Sequence, residues 1–208
     1  EIYNVAGPQT ITTTGQNANG EGILVRNTGN FNDTADIYNN SGVQTITVNN
    51  AAAVRVQGIS GAAEIASPGT HVIVIQGASS ANALEIGTAG ALGYSEIWGG
   101  NQSITVGQTG QSGSIVIRGG SQDDNGAGIG NESGNQIIKT TGLIELRGGT
   151  APGVGPDCTL GSGTHGGSCA FIASDTGSQT ITAGDIRLFG GASGSLNSAA
   201  IVNFAPAG

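Results

Sequence analysis

Apolar and polar residues alternate along this chain in short stretches, and each stretch is closed by Gly, Asn or Ser. A period of two marks strands with one buried face, and no segment sustains the 3.6-residue period of an amphipathic helix. Three such stretches recur in a fixed order. Motif A centres on an Ile, at Ile2, Ile37, Ile65, Ile97, Ile129, Ile172 and Ile201. Motif B is G-x-Q-T-I-T or a relative of it, at residues 7–12, 42–47, 69–74, 100–105, 134–139 and 177–182. Motif C sets two apolar residues around an outward one, at Ile23/Val25, Val54/Val56, Leu84/Ile86, Ile115/Ile117, Ile144/Leu146 and Ile186/Leu188.

Successive motif-A isoleucines lie 35, 28, 32, 32, 43 and 29 residues apart, so length varies in the turns while strand order is constant. A single short strand cannot bury its apolar side. Stacking A on A, B on B and C on C buries all three columns in one interior and pairs the backbones as parallel ladders. The expected fold is therefore all-β: one three-sided parallel β-helix (β-solenoid) spanning 1–208 as a single domain. About six turns at roughly 4.8 Å each give a rod some 30 Å tall. The general preference for right-handed crossovers implies a right-handed coil. The column Gln9, Gln44, Gln102, Gln136 and Gln179, with His71 standing in once, reads as a ladder of stacked amides.

Composition narrows the function. Six Lys plus Arg against fourteen Asp plus Glu, a net charge of −8, cannot supply the basic surface that nucleic acid requires. No apolar run approaches the roughly 20 residues of a membrane span. The chain opens on Glu1 and has no Met, which leads us to expect a processed, exported protein, extracellular or on the cell surface. Cys158 and Cys169, eleven apart in a Gly-rich stretch, read in that setting as a disulfide across the longest loop. With His165 alone between them, a metal centre lacks ligands.

The outward positions of motif A form a second pattern: Glu1/Tyr3, Asp36/Tyr38, Glu64/Ala66 and Glu96/Trp98 in four consecutive turns. Stacked carboxylates repel one another unless bridged by a cation such as Ca²⁺, and aromatic rings beside acids suit sugar faces. Asp36, Tyr38, Glu64, Glu96 and Trp98 are thus candidates for a glycan or cation face. The plain alternative is a charged surface that keeps the rod soluble. Thr10/Thr12, Thr45/Thr47, Ser103/Thr105 and Thr180/Thr182 line motif B, as β-propensity favours. Arg26, Arg55, Arg118, Arg147 and Arg187 flank motif C and are expected to pair with acids. Glu64 with Glu96, or Asp123 with Asp124, would be the carboxylate pairs of a polysaccharide lyase or hydrolase. No nucleophile triad accompanies them, so a non-enzymatic role is expected, with no cofactor.

The G-x-Q-T-I-T and I-x-L-x-G-G repeats resemble those of filamentous-haemagglutinin-type bacterial surface proteins across essentially the whole chain. That resemblance implies an exported right-handed β-helix acting as an adhesin, secreted filament or matrix component. The N-P-N-type motif of their secretion domain is absent. Seven A motifs accompany six B and six C motifs, and the ends of the rod are expected to be uncapped. The expected function is a structural subunit joined head to tail with copies of itself. The expected interface consists of Glu1, Ile2, Tyr3, Asn4 and Val5 at one end and Ala199, Ala200, Ile201, Val202, Asn203 and Phe204 at the other, one of them added as a strand to a neighbour. A surface adhesin that binds extracellular polysaccharide is the alternative.

Overall fold

A computed structural model of the chain describes residues 1–30, 32–50, 52–76, 82–107, 111–122, 125–150, 168–192 and 197–204. The described strands, numbered along the chain, fall into three parallel sheets. Sheet A contains β1 (Ile2–Asn4), β4 (Thr34–Asn39), β7 (Ala62–Ser67), β10 (Ser95–Gly99), β13 (Ala127–Asn131), β16 (Ala170–Ser174) and β19 (Ala199–Asn203). Sheet B contains β2 (Gln9–Thr13), β5 (Val43–Val48), β8 (Thr70–Ile75), β11 (Gln102–Val106), β14 (Gln136–Thr140) and β17 (Gln179–Thr182). Sheet C contains β3 (Glu21–Asn27), β6 (Ala53–Gly58), β9 (Leu84–Ile86), β12 (Ile115–Arg118), β15 (Leu143–Arg147) and β18 (Asp185–Phe189). Each strand pairs with the one three positions on, which is the topology of a three-sided β-solenoid.

The repeats set the register. All seven motif-A isoleucines lie opposite one another through sheet A. The motif-B isoleucines do so through sheet B, and both apolar residues of motif C through sheet C. Ile65, Ile73, Ile97, Ile104, Ile115, Ile117 and Ile129 lose all contact with solvent. The three columns form one core because β-branched side chains pack well on a pleated, fully buried face. In sheet C, Glu21 faces Ala53 and Ile23 faces Val54, so Gly22 is an extra residue bulged out of the ladder.

The leading Gly of motif B turns the A-to-B corner. Gly7, Gly42, Gly134 and Gly177 hold φ of 85°, 88°, 72° and 76°, a region L-residues rarely visit. A Cβ on Gly42 would also lie 2.8 Å from the Gly7 backbone. The amide column is built in two runs. Gln44 Nε2 donates to Gln9 Oε1 at 2.7 Å, Gln136 to Gln102 at 2.9 Å and Gln179 to Gln136 at 2.9 Å. His71 interrupts it: Gln44 Oε1 and both imidazole nitrogens are buried without a hydrogen-bond partner. A second polar column closes sheet A, where Asn4 donates to Asn39 at 2.7 Å and Asn131 to Ser174 at 3.2 Å.

On sheet C, arginines pair with acids as expected for Arg26, Arg55, Arg147 and Arg187. Arg55 bridges Glu21 at 2.7 Å and Glu85 at 2.9 Å, and Arg147 holds Glu145 at 2.6 Å. Arg26 lies 3.9 Å from Glu21, and Arg187 2.8 Å from Asp185. These contacts keep the Glu21 and Glu145 carboxyls below the usual range: a hydrogen bond from Asn17 leads for Glu21, and one from Arg147 for Glu145. Cys169 is buried beside β16 and is not a free thiol. Its expected partner Cys158 lies outside the described residues, as do His165, Asp123 and Asp124.

Candidate functional site

The outer face of sheet A gathers the predicted glycan or cation residues. Because side chains alternate along a strand, the residues on either side of each buried Ile share this face. Register then sorts them into two columns. Asp36, Glu64 and Glu96 stand opposite one another on β4, β7 and β10. Tyr3, Tyr38, Ala66 and Trp98 form the neighbouring column. The small Ala66 leaves the space across which Tyr38 and Trp98 approach, with ring centroids 6.1 Å apart and planes tilted by 58°. On the other side Tyr38 stacks on Tyr3 at 5.3 Å and 7°. An aromatic row thus runs along the solenoid axis beside a carboxylate row.

The carboxylates are more enclosed than a solubilising surface would be. Glu64 accepts hydrogen bonds at both oxygens, from the Tyr94 hydroxyl at 2.5 Å and from Trp98 Nε1 at 3.3 Å. Burial, and after it the hydrogen bond to Glu64, pushes the Tyr94 hydroxyl pKa well up. The Glu96 carboxyl is pushed up to about 8, first by desolvation and then by the charges of Glu64 and Glu132. Asp36 is raised by desolvation, with Glu64 and Glu1 adding to it. One Asp36 oxygen, Oδ1, is buried without a hydrogen-bond partner.

Beyond Trp98 the face is closed over at Phe171. That ring is only 5% exposed, although its position is an outward one. A Cβ added to Gly128 would fall 2.4 Å from Phe171 Cε2. The ring therefore lies over Gly128, which in turn stands opposite Glu96. Glycine at 128 is what lets an aromatic ring fold down at that end of the carboxylate row.

Tyr94 and Glu132 were missed by the reading of motif A, yet the alternation contained them. Residues 94, 96 and 98 share one parity, as do 128, 130 and 132, so extending the period of two by one step places both on this face. Among the described residues, no group of three or more His, Cys, Asp or Glu side chains is gathered for a metal ion. No helix of the described chain is long and apolar enough to cross a membrane. On sheet B a groove of about 500 Å³ is lined by Thr105, Val106, Gly107, Lys139, Thr140, Thr141 and Thr182, one cation among hydroxyls.

Comparison with known proteins finds no matching family model, no matching curated protein and no matching solved structure. The acidic-aromatic face can stack a flat, partly apolar ring and accept hydrogen bonds from its hydroxyls. The expected polymerisation residues lie at the two ends of the stack. Ile2, Tyr3 and Val5 are exposed at one end, and Phe204 at the other, beside the exposed Ile186, Leu188 and Phe189 of β18.

Proposed function

We propose that the protein is an exported structural subunit whose copies associate head to tail by continuing their β-sheets, and that it is not an enzyme. The observation that carries this reading is the apolar exposure of inward columns at both ends of the described stack. Ile2 is 51% exposed at one end, and Ile186 and Leu188 are 44% and 47% exposed at the other, although their counterparts within the stack are buried. An open strand edge over an apolar core is a template for another strand. A heterologous end-to-end contact does not close on itself, so it propagates into a fibre. The repeat style shared with filamentous-haemagglutinin-type surface proteins agrees with a structural or adhesive role outside the cell.

Electron microscopy of the purified chain tests the reading against a Leu188→Glu variant, which sets a charge in the terminal apolar column and leaves the other turns untouched. Unbranched fibres from the wild type and discrete short rods from the variant are expected. Discrete rods from the wild type would refute the proposal.

A second reading is favoured by the aromatic row of Tyr3, Tyr38 and Trp98: the face binds polysaccharide, as an adhesin would. Trp98→Ala should then abolish retention on insoluble glycans. Unchanged retention, with or without Ca²⁺, would sink it.

A further inference from the structure

The two ends of the solenoid complement each other column by column, except at one strand. Among the described residues sheet A has seven strands and sheets B and C six each, so β19 stands one strand beyond β17 and β18, while β1, β2 and β3 belong to one level. Two copies set end to end as they stand would meet only through β19 and β1. The edges of β17 and β2, and of β18 and β3, would be held a full strand spacing, about 4.8 Å, too far apart to bond.

We infer that β19 of one copy replaces β1 on β4 of the next, so that β1 is a placeholder strand displaced on assembly; this rests on the head-to-tail reading above. The replacement keeps the register and extends it. β1 pairs only Ile2, Tyr3 and Asn4 with Ile37, Tyr38 and Asn39. In the same register β19 sets Ile201 opposite Ile37 and Asn203 opposite Asn39, and adds Ala199 and Ala200 opposite Ala35 and Asp36. The two strands share the pattern Ile-x-Asn. Asn4 donates to the carbonyl of Gly7 in its own turn at 3.0 Å, whereas Asn203 donates to that of Gly177 in the turn before at 3.4 Å, so on exchange the Asn203 amide would turn toward Gly7 of the next copy.

Electrostatics favour the exchange as well. Glu1 is one of the charges that raise the Asp36 carboxyl, and Ala200 would bring no charge there. What is lost is the Tyr3–Tyr38 stack.

With β1 removed, the remaining columns close without a gap. Gln179 donates both to Gln136 and to the Val202 carbonyl, while Gln9 already donates to the equivalent Tyr38 carbonyl at 3.3 Å. Gln9 of the second copy would complete the same pair by donating to Gln179. Ile186 and Leu188 would meet Ile23 and Val25, continuing the columns of sheet C. Phe189, whose ring carries the Arg147 guanidinium 4.3 Å from its centroid, would meet Arg26 on its free side.

The experiment is cryo-electron microscopy of filaments grown from the full chain and from a chain lacking residues 1–5, with assembly followed by light scattering. Displacement of β1 predicts a rise of about 29 Å per subunit, six strand spacings, in both samples. It also predicts that the shortened chain assembles without the lag of the full one. Filaments with a rise of about 34 Å and β1 still on β4, or filaments lost on truncation of a chain that circular dichroism shows to be folded, would overturn the exchange and leave head-to-tail association standing. No filaments from the full chain would overturn the head-to-tail reading and the exchange with it.

Discussion

Replacing His71 by Gln should stabilise the protein, and by more in acid than at neutral pH. His71 is fully buried in the amide column, and desolvation pushes its imidazole down to about 4, with the Trp98 carbonyl opposing weakly. That carbonyl is near enough to favour the protonated ring a little, yet neither ring nitrogen attains hydrogen-bond geometry. In His71→Gln the new side chain would donate to the orphaned Gln44 Oε1 and accept from Gln102, as the amides do elsewhere in the column. An unpartnered buried acceptor costs about 1–3 kcal/mol, so a gain of about 1–2 kcal/mol is expected at pH 7.5. In acid the unfolded chain binds a proton that the folded one refuses. The wild type therefore has its full stability above about pH 6.5 and loses it as the pH falls toward 4. The loss at pH 4 is about 3 kcal/mol, from a shift of roughly 2.5 units. Urea denaturation of both proteins at pH 7.5 and 4.0 isolates this step, because the carboxylates titrate alike in each. A stability difference that does not widen between the two pH values would refute the assignment of a buried, neutral His71.

Glu96→Gln should act with the opposite sign of pH dependence. A carboxyl pushed up to about 8 contributes stability below about pH 4.5 that is lost as the pH rises through 8. The variant should thus gain on the wild type between pH 5 and 9, by on the order of 2 kcal/mol given the solvent contact Glu96 retains, as thermal melts at the two pH values would record. Gly128→Ala should cost about 1–3 kcal/mol in urea denaturation by driving a methyl group into the Phe171 ring. Ile97→Ala should cost about 2–5 kcal/mol, since Ile97 lies wholly inside the stack. An Ile97 variant as stable as the wild type would contradict the continuous core.

The strand columns were legible in the sequence because each apolar position repeats against the same neighbours in every turn. Ile2 through Ile201 could be aligned by eye, and their pairing follows the alignment. The Gln ladder was legible for the same reason, as was its interruption at His71. The carboxylate and aromatic columns also came from alternation. Their protonation did not, because it depends on enclosure: Tyr94 reaches Glu64 from just before β10, and Phe171 folds over a glycine one strand away. Side chains that bend out of their own column leave no period behind. Tyr94 and Glu132 lay within reach of the pattern, whereas the Phe171 ring over Gly128 required coordinates.

Sheet A ties the two readings together, and they compete at one strand. Tyr3 is part of the aromatic row only while β1 occupies β4. If β19 of another copy takes that place, Val202 replaces Tyr3 beside Tyr38 and Ala200 replaces Glu1 beside Asp36. The row then shortens to Tyr38 and Trp98, and the carboxylate row loses its outermost charge. A glycan that needs Tyr3 would hold β1 in place and oppose assembly, since a ligand shifts an equilibrium toward the state it binds better. A glycan that needs only Tyr38 and Trp98 would bind subunit and fibre alike. Comparing glycan retention by monomer, by fibre and by a Tyr3→Ala monomer separates these cases, and equal retention by all three would confine the binding face to β4, β7 and β10.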